Sequence, residues 1–424
     1  VSSEPTAASR EIHIDDLADP QLTDIQRGAI EWGETQTVDM SIDGALRKAV
    51  EATGLDDFGP DDFRERLELW LREPADDPDR YVLAQMNLVS HMVRYASNRL
   101  LQVDLLKRHP EIRDIEIREP LIVIGLPRSG TTNLVNLLAA DSRFRSLPLW
   151  ESYEPVPHPR DIVADDGIDP RWTRCNQAWE GMKAVVPHVA AMHPMEPDHI
   201  HEEIELQLSD FSSYNQEWVA RVPRGRDHYL AHDQTSHYEW MRTGLQIMQW
   251  HRPRDRWVLK SPQHLEQIGP LLSVFPDATI VVTHRDPVAV VQSTITMMAY
   301  SARMAYRNTQ PEWYLDYWTD RIRRLLDASI RDRHLLPADR TVDVFFDDYM
   351  ADEIGTLRRI YDTAGIELTA TALAGIEAYR TAHPRGVEGR VVYDLRNQFG
   401  TTPEQVREPF GAYFDHFPVR IEVQ

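Results

Sequence analysis

The chain has 424 residues, of which 68 are acidic and 46 basic, for a formal charge of −22. With 42% hydrophobic and 27% charged residues it has the composition of a globular protein, and its length allows one large α/β unit with an extension or two to three domains. The negative charge excludes nonspecific nucleic-acid binding and docking on anionic lipid, which need a basic surface, but leaves room for a local basic pocket around one phosphorylated ligand. The single cysteine, Cys175, excludes an intrachain disulfide and a cysteine-cluster metal site, and fits a reducing cytoplasm. Val1 to Asp19 has no apolar targeting core, and no apolar run approaches the roughly 18 residues that span a bilayer.

Val1 to about Asp39 is polar and reads as partly loose. From Ser41 to His109 the apolar residues recur three to four apart (Leu46, Val50; Phe63, Leu67, Leu71; Leu88, Met92), a helical pattern. Asp61-Asp62 before Phe63 marks a helix start and Pro110 a stop. At Pro120 the pattern changes. Leu121-Ile-Val-Ile-Gly125 is continuously apolar and β-branched, as in a strand buried on both faces. A tight loop and a helix with Leu134, Leu137 and Leu138 follow. Trp257–Leu259, Thr279–Thr283 and Thr341–Phe346 read as further strands, separated by helices over Leu265–Val274 and Pro287–Met298. A last helix runs through Tyr361. Strands alternating with helices predict a parallel sheet covered on both faces. Trp150 to Trp257 breaks this alternation; it reads as helices and loops and holds seven of the eleven tryptophans.

The loop after the first buried strand is Pro127-Arg128-Ser129-Gly130-Thr131-Thr132. A strand–loop–helix turn aims backbone N–H groups and the helix dipole at one spot, which suits an anion. Ser129, Thr131 and Thr132 add hydroxyls and Arg128 a fixed charge. A nucleoside-triphosphatase loop requires Gly-x-x-x-x-Gly-Lys-Ser/Thr. Gly125 and Gly130 have that spacing, but Thr131 stands where the lysine belongs. His284-Arg285-Asp286 invites a protein-kinase reading, which fails because Val291 replaces the required asparagine and no Asp-Phe-Gly follows. Arg285 at the end of a strand, with Ser293 eight residues on in the next helix, reads as a second anion contact. Two such sites describe a ligand phosphorylated at two ends.

Strand-Pro-Arg-Ser-Gly-Thr-Thr-helix resembles the 5′-phosphosulfate loop of sulfotransferases. Strand-Arg285-(seven residues)-Ser293 is similar to their 3′-phosphate site, and Val-Leu-Lys260-Ser261-Pro262 falls in the family's order. The resemblance covers about Pro120 to Phe417 and is nearest to bacterial stand-alone members with an N-terminal helical extension. It implies an α/β, P-loop-like three-layer fold with a central parallel sheet over 116–424. A helical extension occupies 1–115, and 150–256 is an acceptor-site insertion. It implies the donor 3′-phosphoadenosine 5′-phosphosulfate, no obligatory metal, and a small-molecule hydroxyl acceptor. Arg128, Ser129, Gly130, Thr131, Thr132, Arg285 and Ser293 would bind the donor. Arg385 and Gly386, in a basic glycine-bearing loop, would reach its 3′-phosphate and adenine edge. Lys260 resembles the lysine beside the transferred sulfuryl group.

The general base does not carry over, because Pro262 stands where cytosolic members have histidine. His264 lies two residues further on. Pro197-Asp-His-Ile-His-Glu-Glu-Ile-Glu205 resembles a Pro-x-Glu run facing the acceptor in bacterial members, and helical spacing would place Glu202 or His201 on one face with Glu205. Glu202 ranks first as base, then Glu203 and His264, then His201; a carboxylate in a desolvated pocket gains basicity. The tryptophan-rich middle is expected to build an apolar acceptor pocket for a phenol, sterol or lipid alcohol. The rivals are a magnesium-dependent P-loop kinase and a nucleotide-binding homologue without activity. A lid, a homodimer arm and a scaffold are all open for the N-terminal region.

Overall fold

The computed structural model of the chain describes residues 10–163, 167–384 and 386–424. Four helices precede the central sheet: α1 (Asp24–Glu34), α2 (Ile42–Thr53), α3 (Phe63–Ala75) and α4 (Val82–Arg108). Within the segment expected to be partly loose, up to Asp39, α1 is an ordered helix that the sequence reading did not mark. Its start is a capping box, in which the Gln26 amide donates to Thr23 Oγ1 and the Thr23 amide to the Gln26 side chain. Gly33 lets α1 lie against α4, since a Cβ there would stand 2.9 Å from Leu83. The core of α2, α3 and α4, with Leu46, Phe63, Trp70 and Met92, also takes in Leu208, Phe211 and Val222 from the middle of the chain.

Strand β1 (Glu11–Ile12) pairs in parallel with β7 (Arg390–Val391) and ties the start of the chain to its C-terminal part. The remaining strands are β2 (Leu121–Gly125), β3 (Phe144–Arg145), β4 (Arg256–Ser261), β5 (Thr279–His284) and β6 (Thr341–Phe345). They form one sheet in the order β3-β4-β2-β5-β6, every neighbouring pair parallel. Side chains alternate faces along a strand, so the unbroken apolar run of β2 requires two covered faces. Ile122 and Ile124 enter a core with Leu259, Ile280 and Val282, closed by helices Thr235–His251, Pro287–Ala302 and Pro311–Asp332. Leu121 and Val123 enter the opposite core with Val258 and Val281, closed by α5 (Thr131–Ala139) and helices Glu353–Thr363 and Ala370–Ala382. The fold is a three-layer α/β arrangement around a parallel sheet.

From β2 the chain runs to the edge strand β3, returns through β4, and crosses β2 to reach β5. That reversal opens a crevice at the carboxyl ends of β2, β4 and β5, where open parallel sheets bind ligands. The stretch between β3 and β4 is helices and loops, as its pattern predicts.

Candidate active site at the carboxyl ends of β2, β4 and β5

The loop after β2 is shaped by close approach of backbone to side chain. Gly125 pairs with Thr283 of β5, and a Cβ on it would sit 1.9 Å from the Thr283 hydroxyl. Arg128 (φ 64°) and Gly130 (φ 83°) both adopt the left-handed conformation, which is costly for the arginine and easy for the glycine. Ser129 is buried; its hydroxyl donates to Leu126 O at 2.6 Å and lies 2.9 Å from Thr283 Oγ1. It therefore holds the loop closed. The backbone bond from Leu134 to Gly130 O opens α5, so the preceding amides form the donor-rich helix terminus. Thr131 and Thr132 line the cavity beyond it.

The second pair of residues converges on the same loop. Arg128 Nε donates to Ser293 Oγ at 3.0 Å, and Arg285 Nη1 donates to Arg128 O at 2.5 Å. Burial, and the nearby Arg285 charge, lower the Arg128 pKa. Among the described residues Arg128 has no carboxylate partner. Arg285 does: Nε and Nη2 grip Glu422 at 2.9 and 2.8 Å, and its guanidinium stacks 3.9 Å from the Phe346 ring centre. His284 holds the strand end, with Nδ1 2.9 Å from the Tyr413 hydroxyl and Nε2 2.9 Å from Asp343. Tyr393, whose hydroxyl lies 2.9 Å from Ser293 Oγ, completes the cluster. Two guanidiniums thus meet in a half-buried corner, and among the described residues only Arg285 has a carboxylate counter-ion.

Lys260 ends β4 beside this corner. Its Nζ donates to Glu202 Oε1 at 2.5 Å, and both residues line the cavity. Its backbone N–H donates to Glu203 Oε2 at 2.8 Å. The other Glu203 oxygen lies 2.7 Å from His264 Nε2, and His264 Nδ1 lies 2.7 Å from the Tyr238 hydroxyl. Glu203 and His264 are fully buried and do not line the cavity. His201 Nε2 lies 3.7 Å from Glu205 Oε2 and both line the cavity with Glu202, as the spacing predicts, but the run is no regular α-helix: Glu203–Asp210 is a 3-10 helix, and Glu202 precedes it in extended conformation. Adjacent Glu202 and Glu203 therefore diverge, one to the cavity and one to the core.

The cavity encloses about 320 Å³ and runs from Arg128 and Lys260 to a wall of Met182, Val189, Met195, Val219, Met297 and Met298. The expectation of a tryptophan-built pocket is corrected, since only Trp218 of the seven contributes to the lining. Three of the others back arginines. Trp257 is in the sheet core with Arg145 over its ring at 4.8 Å, and Trp150 and Trp240 carry Arg171 and Arg99 at 4.7 and 4.5 Å. An indole face pairs well with a guanidinium that must be buried. Thioethers supply the pocket wall instead, flexible enough to fit an irregular apolar body.

A polar wall comes from α4 and the middle stretch. Arg94 bonds Glu205 at 3.0 Å and lies over the Tyr153 ring at 3.9 Å; Glu205 also takes Asn215 at 3.1 Å. Burial opposes the Glu205 charge, but His201 and Arg94 outweigh it and lower its pKa. His193 also lines the cavity; burial foremost, then the Arg128 and Lys260 charges, push it down to about 3, so the ring is neutral. Of the residues expected at the site, Arg128, Thr131, Thr132, Glu202, His201 and Lys260 share this cavity, while Arg285 and Ser293 meet Arg128 behind it. Gly386 (φ 77°) is exposed in a turn that lines neither this cavity nor the one beside Arg285, and Arg385 falls outside the described residues. Sequence reasoning missed Arg94, His193, Tyr393 and Glu422. Only the paired Met297-Met298, one turn beyond Ser293, carried a readable signal for the apolar wall.

Fold and site together describe a three-layer α/β protein that gathers two guanidiniums and a lysine at the carboxyl ends of its central strands. The profile described as "Sulfotransferase family" matches residues 120–370, and the chain belongs to that family. It is similar to the crystal structure of sulfotransferase STF9 from Mycobacterium avium (TM-score 0.80, 26% identity, covering 92% of this chain and all of that one). Sulfotransferase STF1 from Mycobacterium tuberculosis is similar too (TM-score 0.74, 27% identity, 88% of this chain and 98% of that one). Among curated proteins, the omega-hydroxy-beta-dihydromenaquinone-9 sulfotransferase Stf3 of Mycobacterium bovis is 25% identical over 284 residues, 62% of this chain and 67% of that protein. No helix among the described residues is long and apolar enough to cross a membrane.

Proposed function

We propose that the protein transfers the sulfuryl group of 3′-phosphoadenosine 5′-phosphosulfate to the hydroxyl of an uncharged, largely apolar alcohol, with a lipid alcohol as the leading class. The observation that carries this reading is one cavity joining the Arg128 loop and the Lys260–Glu202 pair to a methionine wall. The donor fits the residues present. A 5′-phosphate finds the amides opening α5, and a 3′-phosphate finds Arg285 and Ser293 next to a half-buried, carboxylate-free Arg128. The acceptor class is supported by the lining and by the likeness to Stf3, the omega-hydroxy-beta-dihydromenaquinone-9 sulfotransferase.

In this reading Lys260 offers its ammonium where negative charge builds on the leaving phosphate. Glu202, already bonded to that ammonium, receives the acceptor's hydroxyl proton. The methionine wall excludes water, which would otherwise compete with the alcohol. His91, Arg94 and Tyr95 of α4 line the cavity, so we assign the helical region 1–115 to walling the acceptor half of the 116–424 α/β unit.

Calorimetric titration with adenosine 3′,5′-bisphosphate without magnesium, beside ATP with magnesium, tests the donor. Tight bisphosphate binding and weak ATP binding are expected, and the reverse preference would replace this reading with a kinase. A panel of prenyl alcohols, sterols and phenols then tests the acceptor, with highest turnover expected on the prenyl alcohols. Donor binding without turnover on any of them would point to an inactive homologue.

A further inference from the structure

We propose that Glu203 is a positioning residue: it caps the open edge of β4 at the Lys260 amide and so fixes the register in which its neighbour Glu202 meets the Lys260 ammonium. The proposal rests on the reading of Lys260 and Glu202 as the reacting pair. Its starting point is a gap in the sheet. Strand β3 pairs with β4 only at Arg256 and Trp257. Beyond that point the chain after β3 turns to other partners: the His201 amide donates to Leu147 O at 2.8 Å and the Leu149 amide to His199 O at 2.9 Å. Strand β4 continues to Ser261 with β2 on its other side, so its outer edge lacks a strand where it reaches the active site.

A buried edge N–H needs a partner, and here a carboxylate supplies it. Glu203 Oε2 accepts from the Lys260 N–H at 2.8 Å, and Oε1 lies 2.7 Å from His264 Nε2. Lys260-Ser-Pro-Gln-His264 turns sharply through a 3-10 helix at Pro262, which brings backbone and imidazole onto the two oxygens of one carboxylate. Behind His264, Nδ1 lies 2.7 Å from the Tyr238 hydroxyl, which also takes Gln263 Nε2 at 3.3 Å; that amide donates to Gln207 at 2.7 Å. A carboxylate only accepts, which assigns the Nε2–H as donor to Glu203 and, for a neutral ring, Nδ1 as acceptor from the Tyr238 O–H. A connected, fully buried network of this kind holds a single geometry.

The consequence reaches the cavity through one peptide bond. Glu202 is extended, so its side chain departs on the opposite side from that of Glu203. With Glu203 fixed to the Lys260 backbone, Glu202 is delivered to the Lys260 Nζ at 2.5 Å. Two adjacent acids thus grip one lysine at both ends. Glu203 and His264 have no access to the cavity, so they act only through that lysine and its partner.

The test compares two substitutions at one position, using the acceptor alcohol with the highest turnover in the panel above. Glu203→Ala removes the cap and is expected to lower kcat by about 10²-fold while leaving bisphosphate affinity within about two-fold, the effect of a misplaced group and not of a lost ligand contact. Glu203→Gln keeps an oxygen for the Lys260 N–H, and its amide can donate to His264 in the other tautomer. It is expected to restore kcat to within about five-fold of the unaltered enzyme. A glutamine variant as inactive as the alanine one would overturn the proposal, because Glu203 would then be needed for its charge or its proton. Full activity in the alanine variant would overturn it as well. Should Glu203→Ala not fold, Tyr238→Phe decides: a several-fold fall in kcat with an unmoved pH profile supports positioning, and unchanged kcat or a shifted profile refutes it. Full activity in Glu202→Gln would remove the underlying assignment of the reacting pair and leave the Glu203 comparison to be read separately.

Discussion

The two ends of the cavity are charged in opposite styles. At the end proposed for the donor, Arg128 is half-buried against Ser293 and a second guanidinium, with no carboxylate of its own among the described residues. At the acceptor end, Arg94 is already matched by Glu205, which is further satisfied by Asn215. Burying a charge is costly unless it is paired, so on the proposed reading the Arg128 corner gains from an arriving anion, while the Arg94 charge is already met by a carboxylate. A molecule with a charged head and an apolar partner is what this asymmetry accommodates. It also separates the two ends experimentally: substitutions at the donor corner should act on nucleotide affinity, those at the methionine wall on the alcohol, and those between them on turnover alone.

The largest effect is expected where the two ends meet. Glu202→Gln keeps the shape of the side chain and removes its basicity, and should cost about 10²–10⁴-fold in turnover with bisphosphate affinity intact. Single-turnover kinetics alongside calorimetry separates the two quantities; near-normal turnover would leave His193 or His201 as the proton acceptor in the cavity. Next comes the donor corner. Arg285→Ala should weaken adenosine 3′,5′-bisphosphate by about 1.5 kcal/mol, the low end for a hydrogen bond to a charged group, because Glu422 must be released first. An unchanged affinity in titration would separate Arg285 from the 3′-phosphate. The apolar end comes third. Met298→Ala should raise KM for a prenyl alcohol about 10-fold, the scale of a few methylenes in an apolar pocket, with KM for the donor unmoved. A matching rise in donor KM would break the division between the two ends.

That division also governs what a reader of the sequence can recover. The donor corner is written in short range. Gly125, Ser129, Gly130, Thr131 and Thr132 fall within one short stretch, and Arg285 and Ser293 sit eight residues apart across a helix start capped by Asp286. A strand, a tight turn and a helix N-terminus leave few other ways to place them. The acceptor wall is assembled from Arg94 on α4, Met182, Glu205 and Met297, segments joined only by the tertiary fold. Tryptophan content misled there because composition does not say which face an indole presents, and Trp150, Trp240 and Trp257 each back a buried arginine. Helix α1 was legible, through Thr23-x-x-Gln26, but its short apolar stripe lies in a polar stretch. Ser129 shows a subtler limit. Its position in the loop is plain from sequence, yet its hydroxyl is spent on Leu126 and Thr283, so it shapes the site from behind.

The smallest effect runs in the direction of gain, which makes it the most discriminating. Glu422 holds Arg285 through two guanidinium nitrogens, and the tail is kept there by the amides of Glu422 and Val423, which donate to Asp286 Oδ2 at 2.8 and 3.2 Å. Both partners of the ion pair keep 22% of their side-chain surface exposed, so the pair is worth at most about 1 kcal/mol. A 3′-phosphate arriving at Arg285 competes with that carboxylate and bears the cost of displacing it. Glu422→Gln weakens the competitor without removing bulk, and should tighten adenosine 3′,5′-bisphosphate about 5-fold, the equivalent of that ~1 kcal/mol. Adenosine 5′-monophosphate, which brings nothing to Arg285, should bind the variant as it binds the unaltered protein. A damaged fold cannot produce a gain confined to the ligand with the 3′-phosphate. Equal tightening of both nucleotides would mean that Glu422 acts through the general field of an acidic protein, and no change in either would place the 3′-phosphate away from Arg285.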